Sequence, residues 1–358
     1  MTSQFSEEER HITVQLPTGY FERSDQRFPV LYILDGENNL EFTNVVTKFM
    51  SDDGQIPELI IVGLHAGETR DTDYSPEFVS ENAPAGTPPG EATQFLKYVD
   101  IELLPFIDRT YRTTSYRMLS GHSLGGLFST FALTEKLTLF QGYFAQSPFF
   151  NARISALFVE RMTALMKENP DLQSSYFITL GYEPNLEAGF AKMTSALKDN
   201  APAAFQWNAE RQDGRSHMQT RLIGIYRALE QNFGKDWPLA QAAKSGNIKA
   251  HIDGLSKKYG TEARYNHEGF FGEIQRLLQS GDVTSGTAMA EVYIDQYPDS
   301  PFPHFLLANA YASGGNHEAA LEQVDIAANL IESNPEPSAD MKQIYMRLRQ
   351  MRAALSAK

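Results

Sequence analysis

Gly121-His122-Ser123-Leu124-Gly125-Gly126 stands between a short apolar run, Met118-Leu119, and an apolar stretch that begins Leu127-Phe128 and continues through Phe131-Ala132-Leu133. Strand before, helix after and glycine on either side of the serine make this the arrangement of a nucleophile elbow. The serine sits on a tight turn where side chains at the flanking positions would collide with backbone, which is why those positions require glycine. The helix that follows brings its positive dipole end and free amides beside the serine oxygen, where a negative charge on oxygen could develop.

Working outward, short apolar runs alternate with amphipathic stretches over about the first 235 residues. Candidate strands lie at 11–16, 30–34, 59–64, 117–120, 142–146, 176–181 and 204–209, and candidate helices at 41–50, 91–109, 124–133, 154–167, 186–199 and 217–233. Four of the strands are apolar on both alternating sets, as expected of a parallel sheet covered on both faces. The order predicts a doubly wound, mostly parallel α/β fold, with ligands at the carboxyl ends of the strands. Asn82-Ala-Pro-Ala-Gly-Thr-Pro-Pro-Gly90 interrupts the rhythm and is expected as an exposed loop or lid edge.

After Trp237-Pro238 the strand pattern stops, and from Tyr265 onward it is helical only. Leu307, Ala308, Tyr311, Ala320, Leu321 and Ala327 fall near tetratricopeptide spacing, and Pro298 and Pro335 stand close to the ~34-residue period. A plain helical bundle is the alternative. The expected organisation is an α/β domain over 1–240, a linker over 241–264 and an all-α region over 265–358.

Composition narrows the chemistry. The 358-residue chain has no Cys, which excludes disulfides, Cys-ligated zinc, Fe–S clusters and a thiol nucleophile. A formal charge of −14, spread along the chain, argues against nucleic acid or an anionic membrane as main partner. No stretch approaches the ~20 apolar residues of a bilayer span. The amino terminus is too polar and acidic for a signal peptide, so the expected compartment is cytoplasmic, or periplasmic if a leader has been removed. No cofactor or metal is called for.

With Ser123 as nucleophile, the partners in this framework follow in the chain order Ser, acid, His. Of the eight His, only His217 falls after the elbow and before the helical tail, in a polar turn after the last strand. Glu183, at the end of the strand before it, is the expected acid, with Glu187 and Asp213 as competitors. The oxyanion donors expected are the amide of Leu124 and one from the loop after 30–34, where Gly36 permits the turn and Glu37 supplies the NH. His122 is expected to pack at the elbow, on the substrate side, and not to catalyse.

Several signatures in order resemble the esterase family of α/β-hydrolases that includes esterase D and the trilactone esterases of enterobactin-type siderophores. They are Arg10-His-Ile-Thr-Val-Gln-Leu-Pro17, Pro29-Val-Leu-Tyr-Ile-Leu-Asp-Gly36, Thr69-Arg70-Asp71-Thr-Asp-Tyr-Ser-Pro76, the elbow, and Ala145-Gln-Ser-Pro148. The resemblance covers about residues 5–235 and implies an α/β-hydrolase fold acting on a small-molecule ester, siderophore-type lactones among them. It carries the roles of nucleophile, base and acid onto Ser123, His217 and Glu183. Some members of the siderophore branch work with a Ser-His pair alone, which would make Glu183 dispensable. Arg70 matches a position near the substrate in that branch, and would either anchor an anionic ligand or pair with Asp71 or Asp73. The siderophore esterases lack the helical tail, which leaves a homodimer contact or a protein partner as its expected use, and an inert scaffold as the competing reading of the whole chain.

Overall fold

In the computed structural model, residues 3–5, 9–81 and 89–356 are described. The stretch expected as a loop or lid edge lies, for 82–88, outside the described residues. Two compact units emerge. One comprises 1–49, 58–234 and 259–261; the other comprises 50–57, 235–258 and 262–358.

The first unit is built on one seven-stranded sheet in the order β1-β3-β2-β4-β5-β6-β7. The strands are β1 Ile12–Gln15, β2 Phe28–Leu34, β3 Ile60–Leu64, β4 Thr113–His122, β5 Gly142–Gln146, β6 Ser175–Leu180 and β7 Gln206–Arg211. β1 pairs antiparallel with β3, and every other neighbouring pair is parallel. β2, β3 and β5 are buried along their whole length, which explains why their sequences show no polar alternation. The doubly wound α/β-hydrolase expectation is met. All the candidate strands form, with bounds moved by a few residues where pairing with a neighbouring strand continues through polar residues, as at Thr113 in β4 and at Glu210 and Arg211 in β7.

The main helices are α1 Gly36–Asp52, α2 Ala92–Lys97, α3 Leu104–Thr110, α4 Leu124–Glu135, α5 Ala152–Glu168, α6 Pro184–Asn200 and α7 Thr220–Phe233. A π-helical turn, Tyr98–Leu103, joins α2 to α3 and buries Tyr98, Val99 and Leu103. α4 is apolar nearly all round because it is buried nearly all round: nine of its residues, Gly125 to Leu133, are buried. Its Phe128 ring lies 5.0 Å from Phe95, 5.8 Å from Tyr74 and 6.1 Å from Phe131.

β2 connects through α1 to β3 on one side, whereas β4 connects through α4 to β5 on the other. The strand order therefore reverses between β2 and β4, and the crevice of a doubly wound sheet opens at such a reversal. Both the Asp35-Gly36 turn and the Ser123 elbow leave the sheet there. The outermost strands are polar. β7, partly exposed throughout, carries Glu210 and Arg211, paired respectively with Arg227 at 2.8 Å and Glu187 at 2.9 Å; β1 alternates with Thr13 and Gln15.

The second unit is helical, with α8 Leu239–Lys244, α9 Ile248–Tyr259, α10 His267–Gln279, α11 Val283–Gln296, α12 Pro301–Ser313, α13 His317–Glu332 and α14 Ala339–Ser356. Residues 241–264, expected as a linker, thus hold the end of α8 and all of α9. Ile248, Ile252, Leu255 and Tyr259 recur at helical spacing and are buried, an amphipathic pattern that the sequence reading passed over. Side chains of Asn266, Asp282, Ser300 and Asn316 cap α10 to α13 by accepting backbone NH groups of the first turn, so each polar break between helices also starts the next one. In α10 and α11, Phe270 and Tyr293 stack at 4.5 Å.

Phe128→Ala should destabilise the first unit by about 3–5 kcal/mol, since a fully buried aromatic surrounded by rings leaves a cavity that its neighbours cannot close. Chemical denaturation against wild type checks this.

Candidate active site

β4 runs into Ser123, which adopts φ 59° and ψ −117°, a left-handed conformation that a serine holds only when its surroundings over-determine it. Those surroundings are visible. The Ser123 amide donates to the Gln146 carbonyl at 3.0 Å, and the Ser123 carbonyl accepts from the amides of Leu127 at 3.0 Å and Phe149 at 3.2 Å. A Cβ on Gly121 would stand 2.2 Å from the Gly125 carbonyl oxygen, and one on Gly126 would stand 3.1 Å from that of Gln146. Gly121 is therefore required by close backbone approach and Gly126 is tightly placed, whereas a Cβ on Gly125 would meet Leu34 Cβ at 3.4 Å, an ordinary contact. Leu124 opens α4, where the first amides have no partner within the helix. Among the described residues the Ser123 hydroxyl makes no hydrogen bond.

His217 and Glu183 are brought together. His217 Nδ1 donates to Glu183 Oε1, which leaves Nε2 unprotonated in a neutral ring, the tautomer a general base needs. Glu183, its side chain 9% exposed, also accepts from Ser147 Oγ at 2.6 Å and from the Gly181 amide at 3.1 Å. Burial alone would raise its pKa, but the bonds from His217, Ser147 and Gly181 outweigh that and hold the carboxyl below the usual carboxylate range. The Tyr182 amide donates to the Arg215 carbonyl at 2.7 Å, tying the Glu183 loop to the His217 loop. The competitors are engaged elsewhere: Glu187 and Asp213 both bind Arg211, at 2.9 and 3.0 Å, on the surface.

Two residues went unassigned in the sequence. Ser147 is fully buried with φ 41°, and Thr220 is buried with its hydroxyl donating to the His217 carbonyl at 2.6 Å and lying 2.9 Å from Ser147 Oγ. Ala145-Gln-Ser-Pro148 marked the place of Ser147 without its role, and Thr220, three residues after His217, was a usable signal.

His122 packs beside the elbow, as expected. It is 6% exposed, its ring centroid is 4.3 Å from that of His217, and its Nε2–H donates to the His217 carbonyl at 2.8 Å. Its position suits support of the base's loop and offers no surface to a substrate. Burial first, then the neighbouring His217, pushes its pKa down to about 3.

The loop after β2 is a correction. The left-handed residue is Asp35 (φ 54°), and Gly36 serves a different need: a Cβ there would stand 2.6 Å from the Gly63 carbonyl carbon in β3. Gly36 and Glu37 begin α1, with the Asp35 carbonyl taken by the amides of Asn38 and Asn39 at 2.9 and 3.0 Å. The Glu37 carboxylate is drawn aside by the Ala66 amide at 3.3 Å. Arg70 pairs chiefly with Asp35, whereas Asp71 stands 3.7 Å away and Asp73 binds Arg10. Among the described residues no group of three or more His, Asp or Glu gathers to hold a metal ion, and no helix is long and apolar enough to cross a membrane.

His122 carries a stability signature. Its folded pKa of about 3 lies below its ordinary 6.5, so its contribution is fully present above pH 6.5 and is lost as the pH falls from there toward 3. Wild type should lose stability over that window with a slope approaching about 1.4 kcal/mol per pH unit from this residue, and His122→Gln should flatten it. Denaturation midpoints measured from pH 7 to 4 test this.

A ferri-bacillibactin esterase from Bacillus subtilis, BesA, is 29% identical over 137 residues, which are 34% of this chain and 47% of that protein. A second Bacillus subtilis protein, the uncharacterized YbbA, is 27% identical over 135 residues, 37% of this chain and 53% of its own length. The chain thus spans about half the length of these curated relatives. Among solved structures, an IroE-like serine hydrolase from Shewanella oneidensis superposes with a TM-score of 0.66 at 24% identity, covering 80% of this chain and 95% of that one. An uncharacterised protein from Capnocytophaga ochracea reaches 0.64 at 19% identity, with 99% of this chain and 98% of that one covered. Both show likeness of fold. The sequence pattern of the family described as "Putative esterase" matches residues 3–226, well over half of the chain, and the chain belongs to that esterase family.

Proposed function

We propose that the chain is a serine hydrolase that cleaves carboxylic esters through an acyl-enzyme on Ser123. The observation that carries this reading is the His217–Glu183 pair, with the His217 ring packed on His122 beside the strained Ser123 elbow. His217 Nε2 takes the Ser123 proton as Oγ attacks the ester carbonyl. Glu183 holds the ring in the required tautomer and stabilises the imidazolium that forms. The amides of Leu124 and Glu37, each at a helix start, receive the oxyanion. The imidazolium protonates the leaving alcohol; water, activated by the same His217, then releases the acid.

Substrate class follows from what surrounds these residues. Phe149, Tyr182, Met218 and Leu222 are exposed large apolar side chains at the carboxyl ends of β5 and β6 and the start of α7. Tyr182 and Met218 directly adjoin the acid and the base. They favour an ester with an apolar acyl or alcohol group. BesA's similarity favours a second reading, siderophore-type lactone esters, which the charge of −14 makes a poorer match for an anionic ferric complex. The division into an esterase portion, 1–240, and a helical portion, 265–358, that mediates a homodimer or protein contact remains part of the proposal. An inert scaffold would not require a paired acid and base beside a strained serine.

Ser123→Ala should abolish hydrolysis of short-chain p-nitrophenyl esters and labelling by a fluorophosphonate probe; retained turnover would remove the assignment. Glu183→Gln should lower kcat by at least about tenfold, whereas Asp213→Asn and Glu187→Gln leave it near wild type. An equal loss across the three variants would leave the choice of acid open, a loss confined to Asp213→Asn or Glu187→Gln would reassign the acid, and wild-type turnover in all three would indicate a Ser-His pair.

A further inference from the structure

Acyl transfer on Ser123 leaves Arg70 unused, yet its surroundings are built around the loop that supplies one of the proposed oxyanion amides. Asp35 is buried in a left-handed conformation, φ 54°, of the kind a non-glycine residue holds only when its surroundings over-determine it. Arg70 grips its carboxylate at two points, Nε to Oδ1 at 2.6 Å and Nη2 to Oδ2 at 2.9 Å. The Asp35 amide donates to the Tyr74 hydroxyl at 3.2 Å. Tyr74 is itself fixed in the core, 5.6 Å from the Phe95 ring and 5.8 Å from Phe128, and the guanidinium of Arg70 lies 5.5 Å from the centre of the Tyr74 ring.

Charge matters as much as shape. Asp35 Oδ2 would stand 3.5 Å from a Cβ built on Gly125, in the first turn of α4, the helix that Leu124 opens. A bare carboxylate there would oppose an oxyanion, because two negative charges in a water-poor site repel strongly. Arg70 cancels it. The cation is only 31% exposed, and its Nε and Nη2 are committed to Asp35; Nη1, 3.7 Å from Asp71, is the one nitrogen not hydrogen-bonded among the described residues, so the choice between positioning and anchoring is left to the two esters below.

We propose that Arg70 is a positioning residue: it holds Asp35 in the conformation that aims the Glu37 amide and screens the Asp35 carboxylate from the oxyanion. This rests on the acyl-transfer reading above, and it opposes the role of anchor for an anionic ligand.

The test uses the full chain and two esters with one leaving group, neutral p-nitrophenyl butyrate and anionic mono-p-nitrophenyl glutarate. Arg70→Gln should lower kcat by about tenfold or more on both while KM stays within about twofold. Arg70→Lys should recover part of kcat, since it restores charge without the two-point grip. Adding Asp35→Asn to Arg70→Gln should also recover part, because no unscreened carboxylate remains. A rise in KM confined to the anionic ester would make Arg70 an anchor, and unchanged kcat on both esters would make the pair passive; either overturns the proposal. Circular dichroism and thermal midpoints report folding. Should Arg70→Gln fail to fold, Arg70→Lys decides, with a fall in kcat on both esters expected and wild-type kcat overturning the proposal. Ser123→Ala run in parallel separates the two readings: if it retains turnover, acyl transfer on Ser123 and the Arg70 role fall together, whereas if it is inactive and Arg70→Gln is not, only the Arg70 role falls.

Discussion

Everything at the candidate site depends on one close approach of backbone to backbone. β4 and α4 meet so tightly that a Cβ on Gly121 would run into the backbone of Gly125, and the chain turns between them with Ser123 in a left-handed conformation. The bond from the Ser123 amide to the Gln146 carbonyl locks that turn to β5, and the next residue, Ser147, begins the support of the acid. The parallel pairing of β4 with β5 thereby sets the placement of Ser123 and of Ser147 in one step. Backbone strain at the serine is sustained by the sheet.

The same logic explains why polar groups here are shared so heavily. The His217 carbonyl accepts from His122 and Thr220, while its ring donates to Glu183, so both the loop and the side chain are held. Ser147 reaches Glu183 and Thr220 together, linking the end of β5 to the start of α7. Buried polar groups of this kind are stable only when each has a partner. The outcome is a base whose orientation follows from packing already fixed elsewhere.

Much of this was legible in the sequence. The apolar runs of β2, β3 and β5 declared a sheet buried on both faces, and Gly121 to Gly126 declared the elbow, because both depend on local pattern. The pairing of Glu183 with His217 followed from chain order. What escaped depends on contacts across many residues. Asp35 with Arg70 joins positions separated by a helix and a strand, Ser147 with Thr220 joins the ends of two other elements, and neither is written in any local period. The role of Gly36 was misjudged for a similar reason: local reading sees a flexible turn residue, whereas the constraint comes from Gly63 on the next strand. In 241–264 the cause was different, since the amphipathic spacing of α9 was present but short and flanked by polar residues.

The polar rims of the sheet bear on a different property, the fate of the chain before it has finished folding. A mostly parallel sheet assembles from contacts distant in sequence and so forms late, leaving strand edges open for longer than a local hairpin would. On β7 those edges carry Glu210 and Arg211, whose pairing with Arg227 and Glu187 belongs to the finished unit alone. An unfinished copy meeting another at this edge would bury charges with no such partners, which disfavours strand addition between molecules. The ion pairs at the rim thus discriminate self from neighbour during assembly, far from the chemistry of Ser123.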